Sequence, residues 1–98
     1  MEREQEQEAG STTYILMGRA WNADALTQED AHEVNVICRA VDDDDAVTKT
    51  LEALSDDGYA EAELAKIGVL TEVPEQEPFV SAYNDAQQGI VAIICFNE

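Results

Sequence analysis

The chain has 98 residues, of which 22 are acidic and 5 are Lys or Arg, and its net charge is -17. This length suits one domain with one hydrophobic core. The charge disfavours nucleic acid and anionic membranes as partners, because their phosphate groups would be repelled. The longest apolar run covers only residues 90–96, whereas a membrane-spanning helix needs about 20 residues.

The N-terminal segment, residues 1–10, is acidic, rich in glutamine and lacks the apolar stretch of a secretory signal. We expect it to be a disordered acidic tail, followed by a single α+β domain over residues 11–98. We also expect a cytoplasmic protein. In that compartment Cys38 and Cys95 would stay reduced and act as small, buried hydrophobic residues.

Two strands are predicted in the first half of the chain. Residues 11–21 are rich in the β-branched and aromatic side chains that fit a pleated surface. A connection covers residues 22–30. Residues 33–41 then alternate, so that one face of the second strand is apolar and is predicted to face the core. That face carries Val34, Val36, Cys38 and Ala40.

Four consecutive aspartates follow the second strand and precede a helical pattern over residues 44–56. One of them, Asp43 or Asp44, is predicted to cap the helix, and its neighbours would oppose the positive end of the helix dipole. The other interpretation is a divalent cation site, although the spacing lacks the glycine and glutamate of an EF-hand loop. The candidate ligands are Asp42, Asp43, Asp44 and Asp45.

The stretch after this helix is ambiguous between strand and helix, and we favour a strand over residues 60–66. Gly68 would then mark a bend or bulge, with a short further strand over residues 69–73. A second helix is predicted to begin at Pro78, where a missing N–H costs nothing, and to end at Gly89.

The last strand, residues 90–96, is apolar on both faces, which predicts a central place in the sheet. Right-handed crossovers through the two helices would put both on one face of a mixed sheet of four or five strands. The prediction is a two-layer α+β sandwich, ferredoxin-like in its general plan. Since the first and last strands carry apolar side chains on both faces, we predict a homodimer that buries the second face or exchanges an edge strand.

A ligand pocket is predicted between sheet and helix, where aromatic and arginine side chains would hold an anionic small molecule. Its candidate residues are Arg19, Trp21, Arg39 and Tyr83. The chain has one histidine, His32, and has no phosphate loop, dinucleotide fingerprint or repeated metal-ligand spacing. We therefore predict neither a cofactor nor a catalytic constellation.

A set of short segments within residues 33–97 carries a resemblance to known sequences. They are residues 42–47, 51–54, 58–59, 61–64, 67–70, 77–79 and 91–96. Through them the chain resembles a group of small, acidic, uncharacterised bacterial proteins, including hypothetical proteins carried on mobile, integron-type gene cassettes. The resemblance implies no activity, so it assigns no role to any residue.

The leading functional hypothesis is a small, acidic, homodimeric binding module for a small molecule or a protein. One alternative is a small enzyme with a pocket between helices and sheet, in which His32, Tyr83 or an aspartate acts as acid or base. Another alternative is an acidic inhibitor, or nucleic-acid mimic, of a basic protein.

Overall fold

The computed structural model describes residues 11–22 and 31–96, so the predicted tail and most of the first connection lie outside it. Within those ranges the elements are β1 (Thr12–Trp21), β2 (His32–Ala40), α1 (Asp43–Asp56), β3 (Glu61–Val69), α2 (Phe79–Gln87) and β4 (Ala92–Phe96). Neither of these two helices is long and apolar enough to cross a membrane. The predicted order of strands and helices is confirmed.

The four described strands form one antiparallel sheet in the order β3-β1-β2-β4. The predicted α+β class is confirmed, but the predicted mixed sheet is wrong. After β2, helix α1 carries the chain past β1 to the opposite edge of the sheet, where β3 pairs with β1. Each helix therefore leads to a strand that is not a neighbour of the preceding one, and every neighbouring pair runs antiparallel.

Helix α1 packs on one face of the sheet, which we call the α1 face. Its buried residues include Ala46 and Leu54, which lie on one stripe of the helix. Ala46 belongs to a buried cluster with Leu16 of β1 and Val36 of β2, and Leu54 packs against Val34. These five side chains are at most 1% exposed, so the main core lies between α1 and the two central strands.

Helix α2 packs on the opposite face, the α2 face. Ile37 points away from its neighbour Val36, as alternate strand residues do, and it forms a separate cluster with Ala82, Ala86 and Ile94. The prediction that both helices lie on one face of a two-layer, ferredoxin-like sandwich is therefore wrong. The sheet is the middle of three layers, because the chain crosses it on one face through α1 and on the other through α2.

Strand β4 lies at an edge of the sheet, so its predicted central position is wrong. Among the described strands it pairs only with β2. Its Ala92 and Ile94 belong to the core of the α2 face, whereas Ile93 packs on the α1 face. Side chains of β4 thus pack on the cores of both faces, which explains its two-sided apolar pattern without a strand on each side.

Strand β3 forms the other edge and contains a bulge. Its register with β1 shifts between Met17 and Gly18, which leaves Ala65 without a partner. A Cβ on Gly18 would collide with the Glu63 carbonyl oxygen and lie 2.8 Å from Leu64 Cα. Glycine is therefore required where the bulged backbone comes closest to β1.

The bulge or bend predicted at Gly68 is wrong. Gly68 pairs regularly with Ile15, and β3 continues without a break to Val69. The short strand predicted over residues 69–73 is absent from the described sheet. Instead, the Leu70 N–H donates to the Thr13 carbonyl oxygen at 2.8 Å, after which the chain leaves the sheet.

Candidate functional site

The aspartate run begins helix α1 through two reciprocal hydrogen bonds. Asp42 is the N-cap and its Oδ1 accepts from the Asp45 N–H at 2.8 Å, whereas Asp45 Oδ2 accepts from the Val41 N–H at 3.1 Å. This arrangement resembles a capping box. The predicted capping role is confirmed, but the predicted cap, Asp43 or Asp44, is wrong by one or two residues.

The Asp45 carboxylate is also the charged partner of a lysine one turn later. Lys49 Nζ lies 3.3 Å from Asp45 Oδ2. The hydrogen bond from Val41, followed by the contact with Lys49, lowers the pKa of Asp45 below its ordinary value. The Asp45 carboxylate therefore already has a hydrogen-bond donor at the helix start and a charged partner in Lys49.

The other two aspartates have different surroundings. Asp43 lies beside the Tyr14 hydroxyl, and burial together with this carboxylate raises the pKa of Tyr14. Asp44 is exposed. Among the described residues, no group of three or more His, Cys, Asp or Glu side chains could hold a metal ion. The four candidate ligands thus follow one another in sequence without converging on one point.

The four residues of the predicted ligand pocket are not brought together. Arg19 lies opposite Glu33 in the sheet, while Arg39 lies opposite Thr13. Thr13 and Arg19 are six positions apart along β1, which corresponds to about 20 Å. Arg19 instead makes an exposed ion pair with Glu63 at 3.1 Å. Trp21 ends β1 near Arg19, and Tyr83 is half-buried on α2.

One of the predicted residues, Arg39, lines a groove of about 590 Å³ where β2 extends beyond the start of β4. Its Nη2 donates to Ser11 Oγ at 2.6 Å. Lys49 reaches the same groove and donates to the Arg39 carbonyl oxygen at 3.1 Å. Lys49 was not among the predicted site residues. Its spacing of four from Asp45 is the local signal that pairs it with the helix start. Both cations are thus already engaged by the protein.

A second group of polar side chains lies at the other end of the α1 face. The Tyr59 hydroxyl is 2.9 Å from Cys95 Sγ, and the Tyr59 ring meets His32 edge-on at 6.2 Å between centroids. The contact with Cys95, together with partial burial, raises the pKa of Tyr59 to about 12. Tyr59 therefore stays protonated near neutral pH and does not act as a base.

The two cysteines have different environments. Both are free thiols, as predicted, but Cys38 is buried and Cys95 is exposed. The prediction that Cys95 is buried is wrong, because it lies on the edge strand rather than in the centre of the sheet. Burial raises the pKa of the Cys38 thiol, so Cys38 stays a neutral core residue.

A second groove, of about 550 Å³, opens on the α2 face between the end of β3 and the start of α2. We call it the 69–79 groove. Ile15, Leu70 and Phe79 form its half-buried floor, and they pack against the core cluster of the α2 face. Its rim consists of exposed residues at the end of β3 and in the segment after it. These are Val69, Thr71, Glu72, Val73, Glu75 and Gln76.

The 69–79 groove was not predicted from the sequence. Residues 74–78 were interpreted as a break between elements, and they contain no recognisable motif. The groove depends on α2 lying on the opposite face from α1, so that Phe79 approaches Ile15 and Leu70. No periodicity within the segment signals that placement.

Similarity to known proteins assigns no function to these residues. The chain matches no protein-family model, no curated protein sequence and no solved structure. The resemblance to gene-cassette proteins stays a prediction.

Proposed function

We propose that this chain is a small, acidic, homodimeric binding module for a small molecule or a protein, and that two copies associate through the outer edge of β4. The observation that carries the proposal is the position of the most apolar strand at the edge of the sheet. Every second residue of an edge strand turns its N–H and C=O groups outward, and a further strand can pair with them.

The two edges of the sheet differ in how well they discourage association. On β3, Glu61, Glu63 and Lys66 are exposed, and the bulge at Ala65 interrupts the strand. Charges and bulges are the usual devices that keep edge strands apart. The 90–96 segment that contains β4 has no charged side chain and no register shift with β2. The outer edge of β4 is therefore the more suitable edge for pairing.

A second copy is the partner that the charge distribution favours at this edge. Two chains that each carry a net charge of -17 repel one another over most of their surfaces. An antiparallel pair of β4 strands related by a two-fold axis would bring uncharged segments together and put no acid opposite another acid. Pairing would also shield Cys95 and the exposed side of Phe96 at the edge.

Sedimentation equilibrium tests the dimer directly, with a substitution on each edge. Wild-type protein should be dimeric at micromolar concentration. Cys95→Lys puts a charge beside the outer edge of β4, so it should weaken dimerisation at least tenfold. Cys95→Ala also loses the contact with Tyr59 but adds no charge, so it is the control for that loss and should leave the dimer intact. Val69→Lys makes the same change of charge on an exposed side chain of β3 and should leave the dimer intact.

Two further measurements make the result decisive. Far-UV circular dichroism establishes that the variants keep their secondary structure. Sodium chloride should strengthen the wild-type dimer, because it screens the repulsion between two acidic chains. A wild-type protein that stays monomeric at tens of micromolar, or equal effects of the two lysine substitutions, would contradict pairing through β4.

A further inference from the structure

We propose that the 69–79 groove binds a segment of a basic partner protein in which an apolar side chain lies between lysines or arginines. This inference rests on the proposed binding function and names the partner's chemistry and the site that receives it. It does not require dimerisation, because the residues that line the groove belong to β1, β3, α2 and the segment between β3 and α2. The groove approaches β4 through Phe79, whose ring centroid lies 6.5 Å from that of Phe96.

The floor of the groove is suited to an apolar side chain. Ile15, Leu70 and Phe79 are only half-buried although they adjoin the core of the α2 face. Next to them Val73 is 56% exposed. A ligand side chain in the groove would remove part of this apolar surface from water, which favours binding. The groove's volume of about 550 Å³ lies within the usual range of ligand sites.

The charge of the rim selects a cationic ligand. Glu72 and Glu75 line the groove and are exposed, and no lysine or arginine of the described residues lines it. Neither carboxylate forms an ion pair with any described residue. A neighbouring acid, Glu77, is instead occupied within the protein, since its Oε1 accepts from the Ser81 N–H at 3.2 Å. Two carboxylates beside an apolar floor complement a segment with basic and apolar side chains.

The backbone around the groove favours a polypeptide over a compact small molecule. Residues 71–75 belong to no helix or strand, so their peptide groups are not used in the sheet or in a helix ladder. An extended peptide can hydrogen-bond to such groups while one side chain enters the groove.

Isothermal titration of the full chain with two peptides, in 0.15 M salt, tests the proposal. The first has the sequence lysine-lysine-phenylalanine-leucine-lysine-lysine, and the second replaces the two central residues by serine and glycine. Any cation is attracted to a chain of this charge, so the second peptide measures that general attraction. We expect the first peptide to bind at least tenfold more tightly.

Substitutions then locate the binding. Glu72→Gln with Glu75→Gln should weaken the first peptide about tenfold or more. Glu52→Gln with Glu61→Gln removes the same charge from exposed positions on α1 and β3 that do not line the groove, and should weaken it much less. Val73→Ser, at an exposed position, should reduce the preference for the first peptide over the second.

The outcomes separate this proposal from the others. Equal affinity for the two peptides, or equal effects of the two pairs of substitutions, would overturn the groove as a specific site. Equally tight binding of phenylalanine amide would assign the groove to small molecules and overturn the protein partner. Sedimentation of the same variants reports the dimer independently, so loss of the groove proposal leaves the dimer proposal standing, and the reverse.

Discussion

The two faces of the sheet are covered by helices of different length and side-chain size. On the α1 face, a helix of 14 residues buries Leu54 and packs on Leu16 and Val36. On the α2 face, a helix of 9 residues buries only the alanines Ala82 and Ala86. Because buried area sets the hydrophobic contribution, the α1 face should supply most of the stability. The α2 face leaves the 69–79 groove open, so a partner bound there, as proposed, would disturb the fold less.

The largest expected difference between the faces is in core substitutions. Leu54→Ala removes a side chain that is 1% exposed and should lower the free energy of unfolding by about 2–5 kcal/mol. Phe79→Ala on the α2 face truncates a larger side chain that is already half-exposed, so its cost should be smaller. Urea denaturation at one protein concentration measures both, since association also affects apparent stability.

An equal or larger loss for Phe79→Ala would contradict this ranking of the two faces. It would mean that α2 contributes as much to the fold as α1 does. Titration of Phe79→Ala with the phenylalanine-containing peptide gives a second readout. The substitution should weaken peptide binding even where it changes stability little, because Phe79 forms part of the groove floor.

The next effect in size compares one glycine on each face. Gly18→Ala on the α1 face would force a Cβ against the backbone of Glu63 and Leu64, which should cost about 1–3 kcal/mol. Gly68→Ala on the α2 face would place its Cβ 3.8 Å from Ile15 Cγ2, an ordinary contact. It should be neutral or stabilise the protein by up to about 1 kcal/mol.

Urea denaturation of the two glycine variants distinguishes a tight β1–β3 contact from a general need for glycine in the sheet. Equal destabilisation by the two alanines would contradict the close approach at Gly18. It would instead mean that a side chain at either glycine position destabilises the sheet.

Local patterns were sufficient to predict the elements but not the layers. Alternation predicted β2, and the aspartate run followed by an apolar stripe predicted α1, because both signals lie within the segment itself. The face that each helix covers depends on which strand the chain reaches next. That choice is made by distant pairs such as Leu16 with Ile67 and Ile37 with Ala92, and one sequence contains no sign of such pairs.

The candidate sites follow the same rule. The cap at Asp42 and the pairing of Asp45 with Lys49 each involve residues within about one turn of each other. The capping role was predicted from the sequence, and the pairing was missed although its spacing of four is a local signal. The 69–79 groove joins Ile15 to Phe79, and these residues meet only because α2 crosses the face opposite α1. The two-sided apolar pattern of β4 was misinterpreted for the same reason. Coverage by two helices gives the same pattern as a central position between strands.

The two helices also begin differently, which provides a smaller test. The Asp42 side chain caps α1, whereas α2 begins at Pro78 without a side-chain hydrogen bond from its cap. Asp42→Ala should therefore cost about 1 kcal/mol, within the usual range for loss of an N-cap. Urea denaturation of Asp42→Ala measures this loss, and an unchanged free energy of unfolding would contradict the assigned cap.

The smallest effect concerns the acid dependence of the α1 start. Since the pKa of Asp45 is lowered in the folded protein, its contribution to stability is complete above the ordinary value of 3.8. That contribution is lost as the pH falls through the lowered value. Asp45→Asn should cost about 0.5 kcal/mol at neutral pH, and the difference from wild type should vanish in acid.

Asp44→Asn is the matched control, because it removes the same charge from the same helical turn at an exposed side chain. Both substitutions weaken the favourable contact with the helix dipole to a similar extent. The difference between them isolates the hydrogen bond from Val41 and the contact with Lys49. Melting temperatures measured from pH 7 to pH 2 should converge for wild type and Asp45→Asn in acid. Parallel curves for the two variants at every pH would show that Asp45 contributes only its charge to the stability of the α1 start.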